Sequence, residues 1–205
     1  MLCTVKDIKD RLGLTDEQTD HDAVIAQIIA GFTSLADRLT SRVLLATEKD
    51  VLEYYTGGTA LLQVRRYPIL AITSVKESET GDFDEAAALI EGDDWRLVSK
   101  GLSGVIRRLW GLWSPEIDGI QIIYRGGYAA AGAEEQEGGL PAGEIAMPAD
   151  LREAAIKQCS MEFQRRDDLG ISGTTFEGGG FNKFADMQLL PVVRDVLESY
   201  RRIQI

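Results

Sequence analysis

Ile120-Gln-Ile-Ile-Tyr-Arg-Gly-Gly-Tyr128 reads as a strand that ends in a glycine turn. Its β-branched and aromatic residues suit a pleated, half-buried surface. Further on, Met147-Pro-Ala-Asp-Leu-Arg-Glu-Ala-Ala-Ile156 opens a helix that closes on Arg165-Arg166. Proline is tolerated in a first helical turn, and Asp150 favours the positive helix end. Leu151, Ala155, Cys159 and Phe163, with Ile156, make the expected buried side. Neither segment carries a reactive group. A β layer handed over to a helix is a scaffold pattern.

Upstream, Thr4 is the expected cap of a first helix, with Asp7 in a shortened capping box. Val5, Ile8 and Leu12 form one face, and Gly13 supplies a stop. The acidic run before Asp22 leads into a longer helix. There Val24, Ile25, Ile28, Ile29, Phe32, Leu35, Ala36 and Leu39 recur at helical spacing. From Val51 the period becomes strand-like. Val51–Tyr55 and Ala60–Val64 flank Gly57-Gly58, which reads as a hairpin turn. Ile69–Val75, Trp95–Val98 and Val105–Leu109 are further strands, and Ala86–Ile90 is ambiguous. Ala129–Gly143 and Asp167–Phe184 have little to bury and read as loose segments. A last helix starts at Pro191 with the stripe Val192, Val193, Val196, Leu197 and Tyr200.

These elements predict an α+β chain, a small helical body of three to four helices with an inserted antiparallel β subdomain. It is one domain of 205 residues. Its parts are N-terminal helices over 1–45, a β-rich subdomain over 50–128, a flexible loop over 129–147, a third helix over 148–167, a flexible segment over 168–186 and a C-terminal helix over 187–205.

Composition bounds the function classes. Lys and Arg number 22 against 33 Asp and Glu, a net charge of −11. Wrapping a duplex requires a positive surface that displaces counterions, so sequence-independent nucleic-acid binding is not expected. Cys3 and Cys159 form no CxxC pair and no disulfide framework, which fits a reducing cytoplasm. The N-terminus is too polar for a signal peptide, and no apolar run approaches spanning length, so no membrane is expected.

The search for chemistry returns structural explanations. His21, in Asp20-His-Asp22, cannot converge with its neighbours on one ion, because adjacent helical residues diverge. Asp93-Asp94 and Asp167-Asp168 sit at loop edges where turn chemistry accounts for aspartate. Cys159 falls on an apolar helix face. Gly57-Gly58 and Gly178-Gly-Gly180 lack the lysine and hydroxyl spacing of a phosphate loop. Trp95, Trp110 and Trp113, with Tyr54, Tyr55, Tyr124 and Tyr128, suit core and interface packing better than a stacking platform for single strands, although Arg96, Arg107, Arg108 and Arg125 lie nearby. Trp110-Gly-Leu-Trp113-Ser-Pro115 is an apolar loop that needs a cover, such as a neighbouring subunit. The expectation is no catalytic, cofactor or metal site and no enzyme.

One family brings these features into a single order. Thr4-Val-Lys-Asp-Ile-Lys-Asp-Arg-Leu12 leads to the acidic turn and the helix through Leu39. Arg66-Tyr-Pro-Ile-Leu-Ala-Ile-Thr-Ser-Val75 is a proline-led strand ending in Ser-Val. Ile120–Tyr128, the helix from Pro148 to Arg166 and the Leu-Pro-x-Val ending from Leu190 to Tyr200 complete the set. In that order the chain resembles the head–tail connector, or adaptor, proteins of long-tailed double-stranded DNA phages. It departs from compact members over Asp82–Trp113 and Ala129–Ile145, which are longer.

The resemblance implies a homo-oligomeric ring that docks below the portal protein, extends the DNA channel and receives a stopper or tail-completion protein. DNA would pass without specific binding. The location implied is the head–tail joint of the virion, assembled in the bacterial host cytoplasm. Interface candidates are Trp110, Trp113, Val193, Val196, Leu197, Tyr200, Arg201 and Arg202. A tail-completion protein of the same joint is the alternative, and a metal-dependent hydrolase using Asp93, Asp94 and His21 is the rival from another class.

Overall fold

A computed structural model describes residues 1–166, 173–175, 181–183 and 189–203. The fold is α+β, and the backbone divides into two compact units. The first holds Met1–Ala36 and Pro148–Tyr200, and the second holds Asp37–Met147 with the C-terminal residues from Arg201.

The first unit is helical. Helix α1 spans Val5–Leu12, α2 starts at Asp22 and runs to Thr40, α3 spans Ala149–Gln164 and α4 spans Pro191–Ser199. The predicted capping box is present: Asp7 N donates to Thr4 Oγ1 at 3.0 Å and Thr4 N to Asp7 Oδ2 at 2.8 Å. Gly13 ends α1 at φ 70°, where a side chain would be strained. The buried side of α2 is narrower than the sequence pattern, because Ile25, Ile29, Phe32 and Ala36 are covered while Val24 and Leu39 are exposed. Lys9 is buried, its Nζ held 2.7 Å from Asp22 Oδ1. Arg152 of α3 reaches Asp7 of α1 through two hydrogen bonds of 3.1 and 2.8 Å. On α3, Leu151, Ala155, Cys159 and Phe163 are buried as the spacing predicts, and Ile156 is half-buried. Gln158 Oε1 accepts from Leu190 N at 3.0 Å and so fixes the entry to α4.

The second unit holds strands β1 (Val51–Tyr55), β2 (Leu61–Gln63), β3 (Ile69–Glu77), β4 (Trp95–Leu97), β5 (Val105–Arg108) and β6 (Ile120–Gly126). They form two three-stranded antiparallel sheets in the orders β1-β6-β3 and β2-β5-β4. Ile120, Ile122 and Tyr124 alternate along β6 into one core with Tyr55, Leu62, Val75, Trp95, Ile106 and Trp113. In the first unit, where the sequence reads as a loose segment, β7 (Gly173–Thr175) pairs with β8 (Phe181–Lys183) as a two-stranded antiparallel ladder.

Three local expectations change. Gly57-Gly58 does not close a hairpin, because β1 and β2 belong to different sheets. Ala86–Ile90 contributes only a bridge, Ala88 to Lys76, with Leu89 N donating to Val75 O at 2.8 Å. The ends of the 129–147 loop are tied down: Ala129 and Met147 are buried, and Ala129 N donates to Ile145 O at 2.8 Å. Most of the 168–186 segment, with Asp167-Asp168 and Gly178-Gly-Gly180, lies outside the described residues.

Candidate assembly surface

The loop between β5 and β6 is stapled to the segment after β1. Trp113 N donates to Thr59 O, Gly58 N to Trp113 O and Gly57 N to Ser114 O, each at 2.9 Å. Asp118 N adds a bond to Thr56 Oγ1 at 3.1 Å. This close approach explains Gly57, where an added Cβ would lie 2.4 Å from Trp113 Cβ. The staple seats the Trp113 side chain in the core, with Arg108 stacked 5.6 Å from its ring. Arg108 is itself fixed by Glu77 Oε2 at 3.0 Å and Asp94 Oδ1 at 3.4 Å.

The same anchoring turns other apolar side chains outward. Trp110 is 76% exposed, Leu112 64% and Ile117 76%. The Trp110 indole N–H donates to Asp93 O at 2.9 Å, so the exposed ring has a set position. Exposed apolar side chains in one loop, one of them held in a set position, make this loop a candidate interaction surface. Beside the loop lies an open cleft of about 510 Å³, lined by Glu77, Ser78, Glu79, Leu112, Pro115 and Glu116 among others.

A buried polar network braces this unit from within. Glu53 accepts from the hydroxyls of Tyr55 and Tyr124, the latter at 2.8 Å. Those hydroxyls accept in turn from Arg65 N and Arg66 N, at 3.0 Å each. Burial, with the Glu53 charge alongside, pushes both phenols well above their usual range, so they keep their protons and act as fixed donors. Trp95 and Trp113 are buried with Tyr55 and Tyr124, so packing occupies these four aromatics and leaves no stacking face.

The predicted interface residues separate. Trp110 is exposed and Trp113 is core. On α4, Val193 and Leu197 are buried within the first unit, Val196 is half-buried, and Tyr200 OH donates to Asp150 Oδ1 at 2.7 Å. Arg202 is not free at the chain end: its N donates to Thr40 O at 2.8 Å and its guanidinium to Gln63 O, while Arg201 is exposed. Ile117 was missed because a single isoleucine between Glu116 and Asp118 carries no periodic signal.

The residues of the hydrolase rival have structural partners. His21 meets the edge of Phe163 at a centroid distance of 5.4 Å. Asp94 Oδ2 caps Ile90 N at 2.8 Å, and Asp93 lends its carbonyl to Trp110. Among the described residues no group of three or more His, Cys, Asp or Glu could hold a metal ion, and no helix is long and apolar enough to cross a membrane.

No family model and no curated protein matches this chain. Among solved structures, it is similar to a chain from the neck of an empty GTA particle computed with C6 symmetry, with a TM-score of 0.59 and 15% identity over 98% of this chain and 90% of that one. It is also similar to a chain from the neck of a native GTA particle computed with C12 symmetry, with a TM-score of 0.55 and 15% identity over 98% and 89%. At that identity the likeness establishes a shared fold.

Proposed function

We propose that this chain is a structural subunit of the head–tail joint of a phage-like particle, an adaptor that closes into a ring below the portal and extends the DNA channel toward the tail. The observation that carries the reading is backbone likeness over 98% of the chain to proteins described as neck components computed with rotational symmetry. A head-to-tail contact closes into such a ring when its rotation closes. The exposed Trp110, Leu112 and Ile117 supply an apolar surface for subunit or portal contact. The net charge of −11 suits a channel that lets DNA slide without gripping it. The role is structural, and the partners are further copies, the portal and a stopper or tail-completion protein.

The test is the purified full chain at high concentration, alone and with its portal, followed by light scattering and electron microscopy. Rings, or a ring on the portal, are expected. A chain that stays monomeric in both settings sinks the reading. Binding only to isolated tails would assign it to tail completion instead.

A further inference from the structure

Arg96 of β4 and Arg107 of β5 are directly opposed across an antiparallel ladder, and both are exposed. Like charges in that position destabilise a sheet. Among the described residues no carboxylate pairs with either guanidinium. A second imbalance, of opposite sign, lies at the cleft beside the Trp110 loop. Glu77 there is satisfied by Arg108 and by Ser114 N, at 3.0 Å each. Glu79 and Glu116 line the same cleft, are exposed and meet no cation among the described residues.

The pleat turns the arginine pair outward, away from the core face of its sheet. Successive strand residues point to opposite faces. Arg108 points inward, to Glu77 on the cleft side. Arg107, its neighbour, therefore points away with Arg96. A basic patch and an acidic cleft on separate surfaces of one chain match head to tail, the kind of contact that can close into a ring.

We propose that the subunits of the ring join through this pair of faces: Arg96 and Arg107 of one copy seat in the cleft of the next, against Glu79 and Glu116. The exposed Leu112 and Pro115 of the cleft wall would cover the methylene stems of the arginines. This arrangement also accounts for an arginine pair that costs the isolated sheet stability. The inference rests on the ring reading above and names its contact.

The experiment uses the full chain and two charge-reversed variants, one carrying Arg96→Glu with Arg107→Glu and the other Glu79→Lys with Glu116→Lys. All four positions are exposed, so folding is checked by an unchanged melting temperature and far-ultraviolet circular dichroism. Each variant alone is expected to lose the ring in micrographs and in light scattering. A one-to-one mixture is expected to restore it, since each altered face then meets its opposite in an alternating ring. The wild-type ring should also dissociate as salt is raised. Rings that survive in either folded variant overturn the contact while leaving the joint reading standing. Rings that survive Arg96→Glu with Arg107→Glu but no longer retain DNA would assign the arginines to nucleic acid and also overturn it. Failure of the wild-type chain to form rings with or without portal defeats the joint reading, and the proposed contact with it.

Discussion

Trp110 and Trp113, three residues apart in one loop, lie at opposite extremes of exposure, 76% and 0%. The backbone bonds from residues 57–59 hold the loop so that one ring is core and the other is surface. Replacing each by alanine should therefore give opposite phenotypes. Trp113→Ala leaves a cavity and should cost about 3–5 kcal/mol of stability. Trp110→Ala should leave the melting temperature within a degree or two, about the range of a surface change, yet weaken assembly by about 2 kcal/mol if the ring anchors a contact. Thermal denaturation paired with light scattering separates the two. Equal loss of stability in both variants would refute the assignment.

Arg152 and Asp7 tie α3 to the cap of α1. Burial by itself would raise the Asp7 carboxyl, but the Arg152 hydrogen bonds and those from Thr4 outweigh it and hold the group below its usual range. A carboxylate with a lowered folded pKa contributes stability above its unfolded value, and that contribution is lost as pH falls through the folded value. Asp37 has the opposite sign: burial raises its carboxyl despite the Leu44 N–H it accepts, so acidification relieves a cost there. Asp7→Asn should therefore destabilise the chain at pH 7 by about 2 kcal/mol, the scale for a charge-assisted hydrogen bond at a partly buried helix cap. The difference from wild type should shrink below about pH 4, near the ordinary carboxylate range. Urea titrations across pH would show it, and a pH-independent difference would count against the ion pair.

Val193 and Leu197 are buried within the helical unit at 0% and 1% exposure. Deleting Pro191–Ile205 should then lower the melting temperature of the monomer by many degrees. Val192, half exposed on the same helix, is the contrasting position, and Val192→Ala should be nearly silent. A truncated chain that melts like wild type would put the helix outside the subunit's own core.

Cys159 and Cys3 are both buried, and contact with the Cys3 thiol together with burial pushes the Cys159 thiol up. The thiolate is the nucleophile and Cys159 is held as the thiol, while burial alone keeps reagent from Cys3, so neither cysteine should react with iodoacetamide in the native chain at pH 8. Both should react in denaturant. Rapid native alkylation of Cys159, read by mass spectrometry, would contradict this packing.

Features with a local cause were legible in the sequence. Thr4 and Asp7 cap α1 from three residues apart, Gly13 ends it, and Ile120, Ile122 and Tyr124 alternate as a half-buried strand must. Backbone geometry and side-chain period act within a few residues, so they leave a readable pattern. Features with a long-range cause were not legible. Gly57-Gly58 looked like a hairpin turn, but Gly57 serves the close approach of the segment after β1 to Trp113. Arg202 is an interface candidate by its sequence, yet it is held by Thr40 and Gln63. The opposition of Arg96 and Arg107 exists only once β4 and β5 are in register. Strand partners and registers are set by contacts between segments far apart in the chain, whose free energy belongs to the closed core rather than to either segment. The sequence by itself therefore determined the four helices and the strands of the two three-stranded sheets, and the tertiary structure alone decided which tryptophan is covered and which charges are left facing out.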